Sequence, residues 1–236
     1  MTSQGVVEAA WTEAVPLVVV LDTRHLNMKN YNYLVVDPGS RQAVVVDPAW
    51  EIDKVDQALA ASQARLSGIL LTHSHPDHVH LSRPLSEKYE CPIWMSNAEI
   101  AASGFSAERL IGIGTEPWWI GELRIQPIFT PGHTAGSTCF LIGDNLFTGD
   151  VLFAEGCGMC PDAGAAHAMF DSLGRLNAAA GPDTRVFPGH SYGQPPGRPM
   201  SQLRRDNIYL QFSSKESFAA FRLRSGQSRA KMFTFS

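Results

Sequence analysis

The sequence predicts an α/β protein in which two β-sheets pack face to face with helices on the outside. Three observations carry that expectation. Short apolar, β-branched runs alternate with stretches of helical period along the chain. Each half of the chain passes separately from strands to helices. No linker, low-complexity tract or fixed-period repeat interrupts the 236 residues, so residues 1–236 are read as one domain with residues 197–236 as a basic C-terminal helical region.

The elements follow in order. Leu17–Leu21, Tyr33–Val36 and Ala43–Val46 read as strands. Glu51 to Ala64 reads as a helix because Ile52, Val55, Leu59 and Ala60 share a stripe. Ile69–Leu71 is a short buried strand that runs into the polar turn Thr72-His-Ser-His-Pro-Asp-His78, which opens another helix, and Ile93–Met95 is a strand followed by a helix from Asn97. In the second half Leu123–Phe129, Thr138–Ile142, Asn145–Phe147 and Arg185–Phe187 read as strands and Ala165–Ala179 as a helix. Gly193 to Pro199 is a rigid Pro/Gly-rich loop, and Gln202 to Phe212 form a final helix.

Composition narrows the function. A formal charge of −4 carries no nucleic-acid signature. The charge is uneven, however: Gly197–Ser236 carries +6 and the remainder −10. A basic tail on an acidic body suits an acidic partner; a solvated helical face is the plainer alternative. Met1 to Thr12 carry no Lys or Arg, so the basic start of a signal peptide is missing. The apolar run Val15–Leu21 is broken by Pro16 and too short to cross a bilayer. Cys91, Cys139, Cys157 and Cys160 show no disulfide-framework spacing. The expectation is a reduced cytoplasmic protein without a membrane partner.

The chemistry lies at strand ends. His73, His75, Asp77 and His78 fall within six residues, and imidazoles and carboxylates bind borderline divalent metals such as zinc. The sharp turn lets His73 and His75 serve one ion while Asp77 and His78 serve another, and Pro76 suits the entry to a helix. His80, one turn into that helix, is an accessory residue. His133 (in Thr130-Pro-Gly-His-Thr-Ala-Gly-Ser137), Asp150 (in Leu146-Phe-Thr-Gly-Asp150) and His190 (in Val186-Phe-Pro-Gly-His190) each follow a glycine at a strand exit, where a tight turn can aim a side chain inward.

Together, His-x-His-x-Asp-His, Gly-His-Thr-x-Gly-Ser, Thr-Gly-Asp and Pro-Gly-His resemble the metallo-β-lactamase superfamily and, within it, the glyoxalase II-like hydrolases. The resemblance runs from Asn32 to about Phe212. It implies an αββα four-layer sandwich with the site along the open edge between the sheets. It further implies one metal on His73, His75 and His133, a second on Asp77, His78 and His190, and Asp150 bridging both. A narrower similarity is to the zinc-dependent hydrolases encoded within bacterial trans-acyltransferase polyketide clusters of the bacillaene kind. It rests on Leu71-Thr-His-Ser-His75, Phe153-Ala-Glu-Gly-Cys-Gly-Met-Cys160, Pro188-Gly-His-Ser-Tyr-Gly193 and Asn207-Ile-Tyr-Leu-Gln-Phe212.

On that resemblance the chain is a hydrolase with two divalent ions, zinc or zinc with iron at one site. A shared hydroxide is the nucleophile, Asp150 the bridge, and Asp77 both ligand and orienter of the hydroxide. An acyl thioester suits it, because a thiolate leaves without a dedicated acid. Glyoxalase II has a basic residue after Gly-Cys-Gly that helps hold the glutathione carboxylate; here Gly156-Cys157-Gly158 is followed by Met159, which favours a pantetheine-like thiol or an acyl carrier protein. Tyr192 is placed to orient a substrate, and Arg204 and Arg205 to touch a phosphopantetheine or its protein. Arg198, Arg222 and Arg224 join those two in a candidate docking face. Cys157-x-x-Cys160 reads as a loop beside the site rather than a redox pair, and Trp118-Trp119 as structural. The competing readings are glyoxalase II itself, a one-iron persulfide dioxygenase, a lactonase or nuclease of the superfamily, and a non-catalytic carrier-binding scaffold. The intact second-metal set disfavours the dioxygenase, and the seven intact ligands disfavour the scaffold.

Overall fold

The computed structural model describes residues 15–225. In chain order its elements are β1 (Leu17–His25), β2 (Met28–Val36), β3 (Gln42–Val46), α1 (Ile52–Ala61), β4 (Arg65–Leu70), α2 (Pro76–Val79), α3 (Ser82–Tyr89), β5 (Ile93–Ser96), α4 (Asn97–Ser103), β6 (Leu110–Ile113), β7 (Trp118–Ile120), β8 (Leu123–Phe129), β9 (Thr138–Ile142), β10 (Asn145–Gly149), α5 (Ala163–Ala179), β11 (Arg185–Pro188), β12 (Arg198–Pro199), α6 (Met200–Asp206) and α7 (Lys215–Arg222). They form two six-stranded sheets, in the orders β1-β2-β3-β4-β5-β6 and β12-β11-β10-β9-β8-β7. The first is antiparallel from β1 to β3 and parallel from β3 to β6. The second is antiparallel except where β10 meets β11.

The side-chain alternation of the strands builds the layers. On β2, Tyr33 and Val35 point one way and meet Val44, Val46, Phe140, Phe147 and Phe187 in the core between the sheets. Leu34 and Val36 point the other way, into a second core with Val55 and Leu59 of α1 and Leu85 of α3. A third core packs β9, β10 and β11 against Met169, Leu173 and Leu176 of α5, Leu203 of α6 and Phe218 of α7. Strands covered on both faces need apolar side chains on both, which is why these runs read as continuous rather than alternating. The expected α/β/β/α sandwich is therefore what the chain adopts.

Several elements differ from the sequence reading. The predicted helix Gln202–Phe212 ends at Asp206. Asn207 leaves the helical region (φ −89°, ψ 112°), its side chain accepts from Tyr209 N, and its amide donates to the carbonyls of Phe153 and Gly156. A separate helix, α7, follows, capped by Ser214, whose hydroxyl accepts from Ser217 N. Strands β6 and β7 were not expected: they are four and three residues long and partly exposed, too short for a periodic signal. Among the described residues no helix is long and apolar enough to cross a membrane.

Candidate metal centre

Every sequence-predicted ligand leaves a strand at the same edge of the sandwich. β4 runs into the turn carrying His73, His75, Asp77 and His78, and His133, Asp150 and His190 follow β8, β10 and β11. Backbone hydrogen bonds tie these exits together: Thr138 N donates to Thr72 O, Gly189 N to Gly149 O, and Tyr31 N to Gly189 O. Gly149 is required. Its φ is +48°, and a Cβ there would lie 2.2 Å from Thr72 Oγ1.

The side chains converge as two groups joined by one carboxylate. His75 Nδ1 lies 3.1 Å from both His73 Nε2 and His133 Nε2. His190 Nε2 lies 3.1 Å, and His78 Nε2 3.5 Å, from Asp77 Oδ2. Asp150 stands between: Oδ2 is 3.5 Å from His133 Nε2, and Oδ1 is 3.4 Å from His78 Nε2 and 3.5 Å from His190 Nε2. Three imidazoles spend their other nitrogen on the scaffold. Nδ1 of His133 donates to Met159 O, that of His190 to Lys29 O, and that of His78 to Asp47 Oδ2. This fixes the rings and turns each Nε2 toward the cluster, the usual support of a metal-binding histidine. Asp47, His73 and His78 also lie close enough to form a donor group. Asp47, however, meets the far nitrogen of His78 and accepts from Thr72 N and Thr72 Oγ1, so it is an orienting carboxylate.

The electrostatics suit bound cations. Burial and the surrounding imidazoles push His73 well down, and burial lowers His133, so both are neutral donors. Burial opposes charge on Asp77 and Asp150 too, but the neighbouring histidines outweigh it and hold both carboxyls far below the usual range. Burial would also lower His78 and His190. The carboxylates, Asp150 foremost, raise them instead, so the second group calls for positive charge. His78 Nε2 and Asp150 Oδ1 are buried without a hydrogen-bond partner. Buried polar atoms without a partner are costly unless positive charge, a proton or a metal ion, lies between them. The donor set of imidazole nitrogens and carboxylate oxygens fits zinc and other borderline divalent ions.

The chain belongs to the metallo-β-lactamase superfamily. The family pattern described as the metallo-beta-lactamase superfamily matches residues 28–190, which include all seven predicted ligands. The chain is 46% identical over 209 residues, 88% of this chain and 93% of the relative, to the "Probable polyketide biosynthesis zinc-dependent hydrolase BaeB" of Bacillus velezensis. It is 36% identical over 189 residues to the hydroxyacylglutathione hydrolase of Brucella ovis, covering 79% of this chain and 72% of that one. Among solved structures, ETHE1 from Myxococcus xanthus superposes with a TM-score of 0.78 at 29% identity, over 91% of this chain and 94% of that one.

Within this superfamily fold, a cavity of about 230 Å³ opens onto the cluster. His75, Asp77, His133, Asp150 and His190 form its floor, and Met28, Phe153, Met159 and Tyr192 line it as well. Tyr192 packs edge-on against Phe153, with centroids 5.3 Å apart. Met159 and Tyr192, two of the candidate substrate contacts, thus both line this cavity.

The candidate arginines lie away from it. Arg204 donates to Asn177 Oδ1 and to the carbonyls of Asn177 and Ala180, capping the C-terminal end of α5. Arg205 is exposed, and neither residue lines the cavity. Arg222 is 6% exposed: its Nε donates to Gly158 O and its guanidinium lies over the Tyr209 ring. The expected docking face of Arg198, Arg204, Arg205, Arg222 and Arg224 is corrected to that extent, because α7 turns Arg222 inward and Arg204 serves a helix end. Arg229 and Lys231, part of the same charge count, lie outside the described residues. His80 stands off the cluster and packs on Trp50, and Cys157 and Cys160 are buried free thiols. Trp118 packs against Trp94 and Phe140, while Trp119 is exposed.

Sequence reasoning missed the supporting residues. Glu99 on α4 is buried and accepts from Ser74 N, Ser74 Oγ, Thr134 Oγ1 and Gly136 N, joining the loop of His73 and His75 to the loop of His133. Asn30 donates to Asp77 O and Oδ2. The one sequence signal was Ser96-x-x-Glu99, a capping-box spacing; here Ser96 caps the helix while Glu99 reaches to the loops instead.

Proposed function

We propose that the chain hydrolyses acyl thioesters carried on a pantetheine-like thiol, using two divalent cations. His73, His75 and His133 would hold one ion, Asp77, His78 and His190 the other, and Asp150 both. When bound, such ions lower the pKa of a water to about 7 and polarise the substrate carbonyl. The protein's own groups do the rest. Asp77 accepts a hydrogen bond from the attacking water and orients it. Met28, Phe153, Met159 and the Tyr192 ring form an apolar wall for the acyl chain beside the cluster. The leaving thiolate, from a thiol of pKa about 8.5, needs no proton donor.

One observation carries the choice of thiol: among the described residues, no Lys or Arg lines the cavity, and Met159 occupies the position after Gly156-Cys157-Gly158. Recognition of the glutathione carboxylates calls for a charged partner, and a thioether cannot supply one. The relative named for polyketide biosynthesis supports a carrier-linked acyl substrate. The test is kcat/KM on an acyl-pantetheine against S-lactoylglutathione. The pantetheine thioester should be preferred, and Met159→Arg should shift the ratio toward glutathione. A wild-type preference for S-lactoylglutathione, a hydroxyacylglutathione of the class named for the Brucella relative, would refute the proposal.

A further inference from the structure

The polar residues behind the cluster do not serve both donor groups alike. The first group leans on Thr72 and the Met159 carbonyl. Asp77 instead leans on Asn30, a fully buried amide at the start of β2. Asn30 Nδ2 donates to Asp77 O at 2.9 Å and to Asp77 Oδ2 at 3.0 Å, which uses both its hydrogens. That oxygen is the one facing His190 Nε2 at 3.1 Å.

The amide could present either end to Asp77, and Trp50 determines which. Trp50 Nε1 lies 2.7 Å from Asn30 Oδ1. An indole N–H only donates, so the amide oxygen must face Trp50 and the NH₂ must face Asp77. Trp50 is itself held in an unusual state. Its φ is +67°, a conformation that a bulky residue keeps only when its surroundings over-determine it. His25 stacks on one side of the indole at 4.7 Å, and His80 packs at 4.8 Å with Nδ1 accepting from Trp50 N. His80, which holds no place in the cluster, thereby gains a role three contacts away from it.

We propose that Trp50 and Asn30 are a positioning pair: the indole N–H locks the Asn30 amide so that it holds Asp77 Oδ2 toward His78 and His190. The pair rests on the two-cation reading, and it acts on the group of Asp77, His78 and His190 alone. Trp50→Phe keeps a ring against the two histidines and removes the N–H, while Asn30→Ala removes the amide. The experiment loads wild type and variants with zinc, measures stoichiometry by elemental analysis, and follows release to a colorimetric chelator.

Wild type should retain two ions. Trp50→Phe should release one of them about 10- to 100-fold more readily, the usual range for an outer-shell change, and leave the other unaltered. Its kcat should fall with KM little changed. Asn30→Ala should match it, and Trp50→Phe added to Asn30→Ala should do nothing further, because the indole acts only through the amide. Two ions in wild type with unchanged release from Trp50→Phe, equal weakening of both ions, or additive effects in the double variant would each overturn the pair alone. A wild type holding a single ion would overturn the two-cation reading, and the pair with it.

Discussion

Replacing Glu99 with Gln should unfasten the two loops that carry the first donor group. Glu99 is 1% exposed and its oxygens take four hydrogen bonds: Oε1 from Ser74 N (2.9 Å) and Ser74 Oγ (2.6 Å), Oε2 from Thr134 Oγ1 (2.7 Å) and Gly136 N (3.0 Å). Glutamine keeps the shape but turns one oxygen into a donor. Whichever way the amide sits, one backbone N–H then faces an NH₂ group. A hydroxyl can rotate to adapt; a backbone amide cannot. The stranded N–H costs about 1–3 kcal/mol, and the remaining bonds lose their charge assistance at roughly 0.5–1 kcal/mol each. The sum is roughly 2.5–6 kcal/mol. At about 2–4 °C per kcal/mol for a chain of this size, the melting temperature should fall by roughly 5–24 °C. Circular dichroism melts with zinc and with chelator measure it. The drop should be larger with zinc, since the Ser74 and Thr134 loops carry His73, His75 and His133. A melting temperature within about 2 °C of wild type in both conditions would show that Glu99 does not join the loops.

Four further outcomes follow from the structure. In Gly158→Ala a Cβ would meet Asp150 O at 1.8 Å and His133 Nδ1 at 3.1 Å, so metal content and turnover should both collapse; normal zinc stoichiometry would contradict this. Burial pushes Asp56 up, but hydrogen bonds from Lys88 and Tyr89 outweigh it and lower it, while burial and Asp56 raise Tyr89 to about 12. The Asp56 contribution is therefore present above the unfolded carboxylate pKa and lost as pH falls through the folded one; the Tyr89 contribution is lost as pH rises through about 12. Asp56→Asn should flatten both flanks of the melting-temperature profile, by under about 1 kcal/mol for so exposed a pair. Arg204→Glu should destabilise the fold by about 1–3 kcal/mol, because it sets a carboxylate against carbonyls at the end of α5. Arg205→Glu should leave the melt unchanged yet lower kcat/KM on a carrier-bound thioester at low salt only, and equal rates on that substrate would remove the arginine from carrier docking.

How much the sequence discloses depends on whether a residue's neighbours in the chain mark its role. The candidate ligands were legible because their motifs are local. Four metal-type side chains fall within His73–His78, and a glycine precedes His133, Asp150 and His190. Gly132 and Gly149 do take positive φ, as a turn that re-aims the chain requires. The strands of the two-faced cores were legible because burial on both sides leaves unbroken apolar runs. Asp47, Asn30, Trp50 and Glu99 were not, since each is a single side chain whose partner lies on another element, as Asn30 and Asp77 show. Charge counting misplaced Arg222 for a related reason. Net charge says where basic residues lie along the chain, but only the packing of α7, with Phe218, Ala219 and Arg222 on its buried side, says that this guanidinium turns inward.

The division of the site between the sheets has an energetic consequence. His73, His75, Asp77 and His78 follow a strand of the first sheet; His133, Asp150 and His190 follow strands of the second. Each candidate cation group thus draws donors from both: His73 and His75 with His133, and Asp77 and His78 with His190. Neither group exists until the sheets dock through Tyr33, Phe140, Phe147 and Phe187. A cation that binds only the docked arrangement adds RT ln(1 + [L]/Kd) to its stability, about 4 kcal/mol at a thousandfold excess over Kd. Without it, the negative charge of Asp77 and Asp150 is balanced only by protons on the neighbouring histidines. The same ions that would serve hydrolysis would therefore also clamp the open edge of the sandwich. Chelation should consequently loosen the contacts across that edge, read as hydrogen exchange at Thr138 N and Tyr31 N, before it affects the outer cores beneath α1 and α5.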